Sequence, residues 1–386
     1  MARKLVYSKG MHLRTGCLLI CVSLAGMSHA EVQYKVWVSE LPVGANPTLA
    51  NIVPIGVDAT GQVAIRSNLR DNMTPFYVSS LRSGQTPQFQ RNGFGHGMAS
   101  NGDVCLQEWF DNGQFGGRYD ATLLRADGTV AKTVQPTLEN HNAYATAVGE
   151  DGDTLAGFDY QEIDGYWFNV PWIHKNGVKS WETEIGPGFI TDINKSGDYC
   201  GVFGGFNGKG APGSFFTGSF YKRNGQFHTV GNIPGTDDGV TLNEMNDKGV
   251  IAGYSQFNKP YLFDTVSGEW TGFDVVGGFL GINNHGVAVG SGQRNSSDNE
   301  GGAFITVGGK IRFLSDLVSP EIASQYVLGS AWAINDSGVI AVEGYKRGPQ
   351  TTAHQTFILT PVPEPGTLLA LGLGIAALRR RSKPSA

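Results

Sequence analysis

Charge is scarce in this 386-residue chain: Asp, Glu, Lys and Arg make up 16% of it, against about 25% in ordinary globular proteins. That excludes a coiled coil, which needs abundant Ala, Glu, Lys and Leu. Cysteine is nearly absent. Of four residues, Cys17 and Cys21 fall in an N-terminal apolar run, leaving Cys105 and Cys200, too few for a disulfide framework. No P-loop, GxSxG elbow or HExxH is present. His96, His141, His174, His228, His285 and His354 show no metal-ligand spacing, so neither metal nor cofactor is expected. The apolar run Cys17–Ala25 is too short to span a bilayer comfortably, and the longer Thr367–Leu378 falls short of the roughly 20 residues a relaxed helix needs. What abounds is glycine, 55 of 386 residues, about twice its usual share. Aromatics reach 11%, which excludes a largely disordered chain. The composition is that of a turn-rich all-β protein.

The formal charge of −5 combines +4 over residues 1–30 and +3 over 363–386 with −12 between them. An acidic body repels phosphate backbones, so nucleic acid is not an expected partner.

Both ends carry transport signals. Arg3, Lys4, Lys9 and Arg14 precede the apolar run Cys17–Ala25, and Ser28-His29-Ala30 supplies small residues for cleavage after Ala30. Met11 offers an alternative start. The chain closes with Val362-Pro363-Glu364-Pro365, then Thr367–Leu378, then Arg379-Arg380-Arg381, whose charges stay on the cytoplasmic side. This order resembles the PEP-CTERM sorting signal. The resemblance implies transient anchoring in the inner membrane, processing by an exosortase near Pro363–Pro365, and release to the cell surface or the extracellular matrix. Gly372–Ala377 also fits a dinucleotide fingerprint, but no βαβ unit can follow it.

The body repeats. An apolar residue, a polar residue, two turn formers and a glycine recur at Val57–Gly61, Met98–Gly102, Val148–Gly152, Ile193–Gly197, Met245–Gly249, Ile282–Gly286 and Ile334–Gly338, about 46 residues apart. Asn or Asp closes the turn through an Asx bond, and glycine supplies its positive φ. A strand follows each glycine; a second opens on an aromatic or apolar cluster such as Phe220-Tyr221-Lys222; a third follows another turn. Short strands at this period predict a β-propeller, with seven copies giving seven blades. The third residue after each glycine (Ala64, Cys105, Leu155, Cys200, Ala252, Val289, Ala341) is mostly small, which places that strand innermost. The seventh copy lacks a third strand, and Val32–Val38 is expected to complete its blade and close the ring. Cys105 and Cys200 share one slot in blades that are not neighbours, so they are expected to stay unpaired. Gly204–Ser214 and Gly290–Gly302 read as rim loops. The units resemble the HAF-repeat family of extracellular proteins, through Ile-Asn-x-x-Gly and the later Ala303-Phe304 pair; Gly302 stands where that family has histidine. The resemblance implies no particular activity.

Two segments mix acids with rings: Asp159, Glu162, Asp164, Tyr166 and Trp167 in one, Trp109 with Tyr119 in the other. Rings pack on the apolar face of a pyranose while carboxylates accept its hydroxyl protons, so these residues are the candidate ligand-binding set. The expected organisation is a signal peptide (1–30), a propeller (31–361) and a sorting segment (362–386). The expected function is non-enzymatic binding of exopolysaccharide or another matrix component. A carbohydrate-active enzyme using propeller-face carboxylates and a protein–protein scaffold are the alternatives.

Overall fold

The computed structural model describes residues 33–39, 50–69, 77–81, 90–92, 94–110, 117–138, 141–163, 166–204, 218–235, 239–256, 258–294, 301–348 and 353–362. Strands β1 (Gln33–Val38), β2 (Ala50–Val57), β3 (Val63–Leu69), β4 (Tyr77–Leu81) and β5 (Gln90–Asn92) open the chain. Then follow β6–β9 (Phe94–Met98, Val104–Phe110, Arg118–Leu124, Val130–Val134) and β10–β13 (Ala143–Val148, Leu155–Ile163, Tyr166–Lys175, Val178–Trp181). After these come β14–β17 (Gly188–Ile193, Tyr199–Phe203, Gly218–Arg223, Gln226–Val230) and β18–β21 (Val240–Met245, Val250–Ser255, Pro260–Asp264, Trp270–Gly272). The chain continues through β22–β25 (Val276–Ile282, Ala288–Gln293, Gly302–Val307, Lys310–Phe313) to β26 (Tyr326–Ile334), β27 (Ile340–Lys346) and β28 (His354–Val362). One short helix, α1 (Pro320–Gln325), precedes β26; the Ser319 hydroxyl accepts from Ile322 N–H, and Pro320 takes the first position.

Each of the five runs from β6 to β25 is a four-stranded antiparallel sheet in sequence order. The remaining strands form an eight-stranded sheet, β26-β27-β28-β2-β3-β4-β5, with β1 also on β28. Its two halves meet through one parallel bridge, Asn51 with His354. The first strands β2, β6, β10, β14, β18, β22 and β26 touch one another in a closed cycle. Apolar cores lie between consecutive sheets, where Cys105, Leu123 and Val134 pack on Ala143, Leu155 and Trp172, and between the two halves of the eight-stranded sheet, where Ile52 and Ile65 pack on Ala341 and Ile358. The architecture is β-propeller-like.

This corrects the placing of the inner strand. The strand after each motif glycine is the second of its sheet, and the strand before the motif is the first. The small residue three positions after the glycine is explained by packing between sheets: Ala64, Cys105, Cys200, Ala252 and Ala341 are all fully buried there. The aromatic clusters therefore open third strands. Gly290–Gln293 belongs to β23 and Gly302 to β24, so these ends of one expected rim loop are strand.

Every first strand carries a β-bulge at the same place, skipping Ile55, His96, Thr146, Thr191, Asn243, Leu280 and Trp332 in the register. A bulge bends the strand and re-aims one side chain. Opposite it, glycine is demanded by close approach. A Cβ on Gly201 would sit 2.4 Å from the Phe189 carbonyl oxygen and 2.4 Å from the Phe220 ring. The chain's glycine excess thus lies in strands as well as turns.

The Asx turns do more than close hairpins. The Asn246 side-chain oxygen accepts from Lys248 N–H (3.1 Å) and Val250 N–H (2.9 Å), while its amide nitrogen donates to Asn283 O in the next sheet at 3.0 Å. The same stitch joins Asn194 to Asn246 O (3.2 Å), Asn283 to Asn335 O (3.0 Å) and Asn335 to Asp58 O (2.7 Å). The last bond ties the seventh copy of the motif to the first. The expected closing strand is present: β1 lies on β28, with Ser39 N–H donating to Thr356 O at 2.8 Å.

Candidate functional site

The first strands present two ends, and chemistry-bearing side chains gather at both. At the turn end the motif residues of all copies enclose a cavity of about 340 Å³. Two residues before the turn's Asx position, most copies carry Gly or Ala (Gly56, Gly97, Ala147, Gly281, Ala333), but β14 has Asp192 and β18 has Glu244. Both line the cavity. Asp192 accepts from Met245 N–H at 2.8 Å and Glu244 from Ile282 N–H at 3.0 Å. Burial raises the Asp192 carboxyl to about 6, and Glu150 and Asp247 add to the rise against the hydrogen bonds to it. Burial, then the Asp192 charge, holds Glu244 well above its usual range. The sequence reading passed over both, because each occupies a slot that other copies fill with Gly or Ala.

At the opposite end a ladder of rings crosses three consecutive sheets. Trp109 lies edge-on to Tyr119 (centroids 4.8 Å), which meets Phe94 (5.8 Å) and Tyr144 (6.2 Å). Tyr144 stacks on Phe158 at 4.8 Å and 16°, and Phe158 reaches Phe189 at 6.1 Å; Tyr160 closes edge-on against both Tyr144 and Phe158. The rings are half-buried between sheets, except that Trp109 is 45% exposed and the adjoining Phe110 40%. Burial raises the phenol pKa values of Tyr119, Tyr144 and Tyr160, so they stay neutral donors.

The candidate residues divide. Trp109 and Tyr119 belong to the ladder. Glu162 is exposed and pairs in register with Trp167, beside Ile163 with Tyr166. Asp164 lies outside the described residues, as do Ala30, Pro363–Pro365 and Arg379–Arg381; Val362 ends β28. Asp159 points inward instead, and this corrects its place in the set. It is 1% exposed and accepts from Trp172 Nε1 (2.7 Å), Thr137 N–H (3.0 Å) and Lys179 Nζ (2.6 Å). Alternation along β11 turns it to the packed side, between the exposed-face rings Phe158 and Tyr160.

A polar group stands level with this ladder. Arg66 on β3 pairs in register with Val53, as Gln107 does with Phe94 and Glu343 with Ser330. His96, the bulge residue of β6, bonds the Gln107 amide at 2.7 Å. His96 is exposed to solvent; desolvation by the surrounding protein, then the Arg66 charge, lowers its pKa to about 4. The Glu343 carboxylate accepts from Trp332 Nε1 at 2.8 Å and meets His354 Nδ1. Among the described residues, no three His, Cys, Asp or Glu side chains converge as metal ligands, and no helix is long and apolar enough to cross a membrane.

Residues 361–382 match the PEP-CTERM protein-sorting motif, which implies export, C-terminal anchoring and processing by an exosortase. No curated relative matches the chain. Among solved structures, an oligogalacturonate lyase in complex with manganese is 12% identical with a TM-score of 0.52, covering 87% of this chain and 97% of its own. The oligogalacturonate lyase of Vibrio parahaemolyticus is 10% identical with a TM-score of 0.53, covering 87% and 98%. The β-propeller domain of the Trilobed protease from Pyrococcus furiosus is 12% identical with a TM-score of 0.49, covering 70% and 86%. At such identities the likeness is one of fold.

Proposed function

We propose that this chain is an exported surface or matrix protein that binds extracellular polysaccharide without altering it. In this reading residues 1–30 are a signal peptide, 31–361 a seven-bladed propeller with HAF-type repeats, and 362–386 the sorting segment. The eight-stranded sheet then counts as two blades joined at Asn51–His354. The observation that carries the binding reading is the ring ladder. Flat apolar faces crossing three sheets, with Trp109 open at one end, suit the apolar face of sugar rings; Glu162, exposed on β11 two residues beyond Tyr160, adds an acid, and by sequence the set extends to Asp164, Tyr166 and Trp167.

The test is to mix the purified 31–361 domain with the host's own extracellular polysaccharide and follow polymer and protein by size-exclusion chromatography. Co-elution with unchanged polymer mass supports binding, and Trp109→Ala should abolish it while leaving the melting temperature intact. Separate elution overturns the reading and turns attention to protein partners. Shortened polymer favours a carbohydrate-active enzyme. The second reading would draw on Asp192 and Glu244, two acids that line one cavity and whose pKa values burial raises.

A further inference from the structure

Arg66 is half-buried, and among the described residues nothing hydrogen-bonds its side chain. Its guanidinium offers five donors in a fixed planar fork. Burial pulls its pKa down, and the Glu343 charge only partly restores it. The obvious partner is already in use: Glu343 takes Trp332 Nε1 on one oxygen and His354 Nδ1 on the other. His96, whose pKa desolvation and then the Arg66 charge lower to about 4, is held by Gln107 at 2.7 Å. Partly buried arginines normally sit in ion pairs, as Arg125 does with Asp103 at 2.7 Å and Arg118 with Asp120 at 2.8 Å. Among the described residues, Arg66 forms no ion pair.

Resting on the binding reading above, we propose that Arg66 receives the carboxylate of an acidic sugar residue, so that the bound polysaccharide is a carboxylated one. Three observations favour this class. The guanidinium fork matches a carboxylate in two parallel bonds. Glu343 lies close enough to act on Arg66, which disfavours a doubly charged phosphate group and leaves room for a single negative charge. Arg66 also stands at the same rung of the sheets as the ladder rings Phe94, Tyr144 and Phe189, so a sugar on the rings can present its carboxylate to it. The acidic body does not prevent this. At physiological salt, charges beyond about 8 Å are screened, whereas a partly buried pair is screened much less.

The experiment compares two forms of the host's extracellular polysaccharide, native and carboxyl-reduced, binding to the 31–361 domain. The parent should bind the native form at least ~10-fold more tightly than the reduced one, as expected for one charge-assisted bidentate contact. Arg66→Gln should erase that preference while keeping the affinity for the reduced form, and Arg66→Lys, which keeps the charge and loses the fork, should retain part of it. Trp109→Ala should weaken both forms alike. Equal binding of the two forms by the parent, or an undiminished preference in Arg66→Gln, overturns the carboxylate assignment and leaves the binding reading standing. Should the Gln variant fail to fold, an undiminished preference in Arg66→Lys overturns the assignment of the fork. Failure of the parent to bind either form overturns the binding reading itself.

Discussion

The side-chain amide of Asn246 donates 3.0 Å to the main-chain carbonyl of Asn283, its counterpart in the next sheet, while its own side-chain oxygen caps the turn it begins. One residue thus folds a hairpin and joins two sheets. Asparagine alone does both, because aspartate lacks the donor and alanine lacks everything. Asn246→Asp keeps the cap, loses the stitch and buries a carboxylate against a carbonyl. It should cost about 1–3 kcal/mol, the usual penalty for a buried group left unsatisfied. Asn246→Ala should cost at least as much. Urea unfolding midpoints measure both, and a midpoint equal to the parent's in Asn246→Asp would remove the stitch from the account.

Asp192 and Glu244 set a pH dependence with a definite sign. Their folded pKa values lie above the ordinary 3.8 and 4.5, Asp192 at about 6. As pH rises the unfolded chain releases these protons first, so their contribution is whole below about pH 4 and is lost as pH climbs through 6 and beyond. Asp192→Asn leaves an oxygen to accept from Met245 N–H and removes the titration. It should match the parent near pH 4 and exceed it by about 3 kcal/mol at pH 8. Denaturant midpoints across that range check this; parallel curves for the two proteins would refute it.

How much of this was legible in the sequence follows from what repeats. The turn motif recurs, so its spacing, its Asx chemistry and the propeller-like stacking could be read from Val57 to Gly338. The inner strand was misplaced because the residues before the motif vary: Gly56, Asp192 and Glu244 share one slot and no property. The inter-sheet stitch was hidden for another reason. Asn194 and Asn246 are 52 residues apart, and only the fold brings the amide of one to the carbonyl of the other. Trp109 was found because Glu108 flanks it, whereas Phe94, Tyr144 and Phe189 sit singly and carry no local mark. Asp159 illustrates the converse. Its neighbours suggested a surface, but strand alternation turned it inward. Arg66 and His96 belong to no pattern, since a site assembled from strands far apart in sequence leaves no spacing to read.

Cys105 and Cys200 occupy equivalent places in the second strands of two sheets that do not adjoin, both fully buried and unpaired. Burial pushes the Cys105 thiol up to about 12, and Cys200, with the Asp192 charge added, well above its ordinary value. Neither thiolate forms at neutral pH, and the thiolate is the reactive species. Titration of the 31–361 domain with a thiol reagent should find no reactive sulfur in the folded protein and two after denaturation. Fewer than two in denaturant would reveal a disulfide; rapid labelling of the native protein would contradict the burial.

The ring is closed by a strand from far away in sequence, so its removal should open it. β1 covers the edge of β28; Tyr34 is 7% exposed, and its N–H donates to Leu317 O at 2.8 Å. Without β1 the β28 edge presents a row of unpaired main-chain groups, an invitation to pair with another copy. Two variants separate side chain from strand. Tyr34→Ala leaves the main-chain bonds and should cost about 3 kcal/mol through the cavity it makes, with the protein still monomeric by sedimentation. Beginning the chain at Leu41 removes the strand outright and should lower the melting temperature further while producing dimers or aggregates that grow with concentration. A truncated chain that stays monomeric and as stable as the parent would show that β1 merely rests on the last sheet, and that the Asn51–His354 bridge and the Asn335–Asp58 stitch close the ring without it.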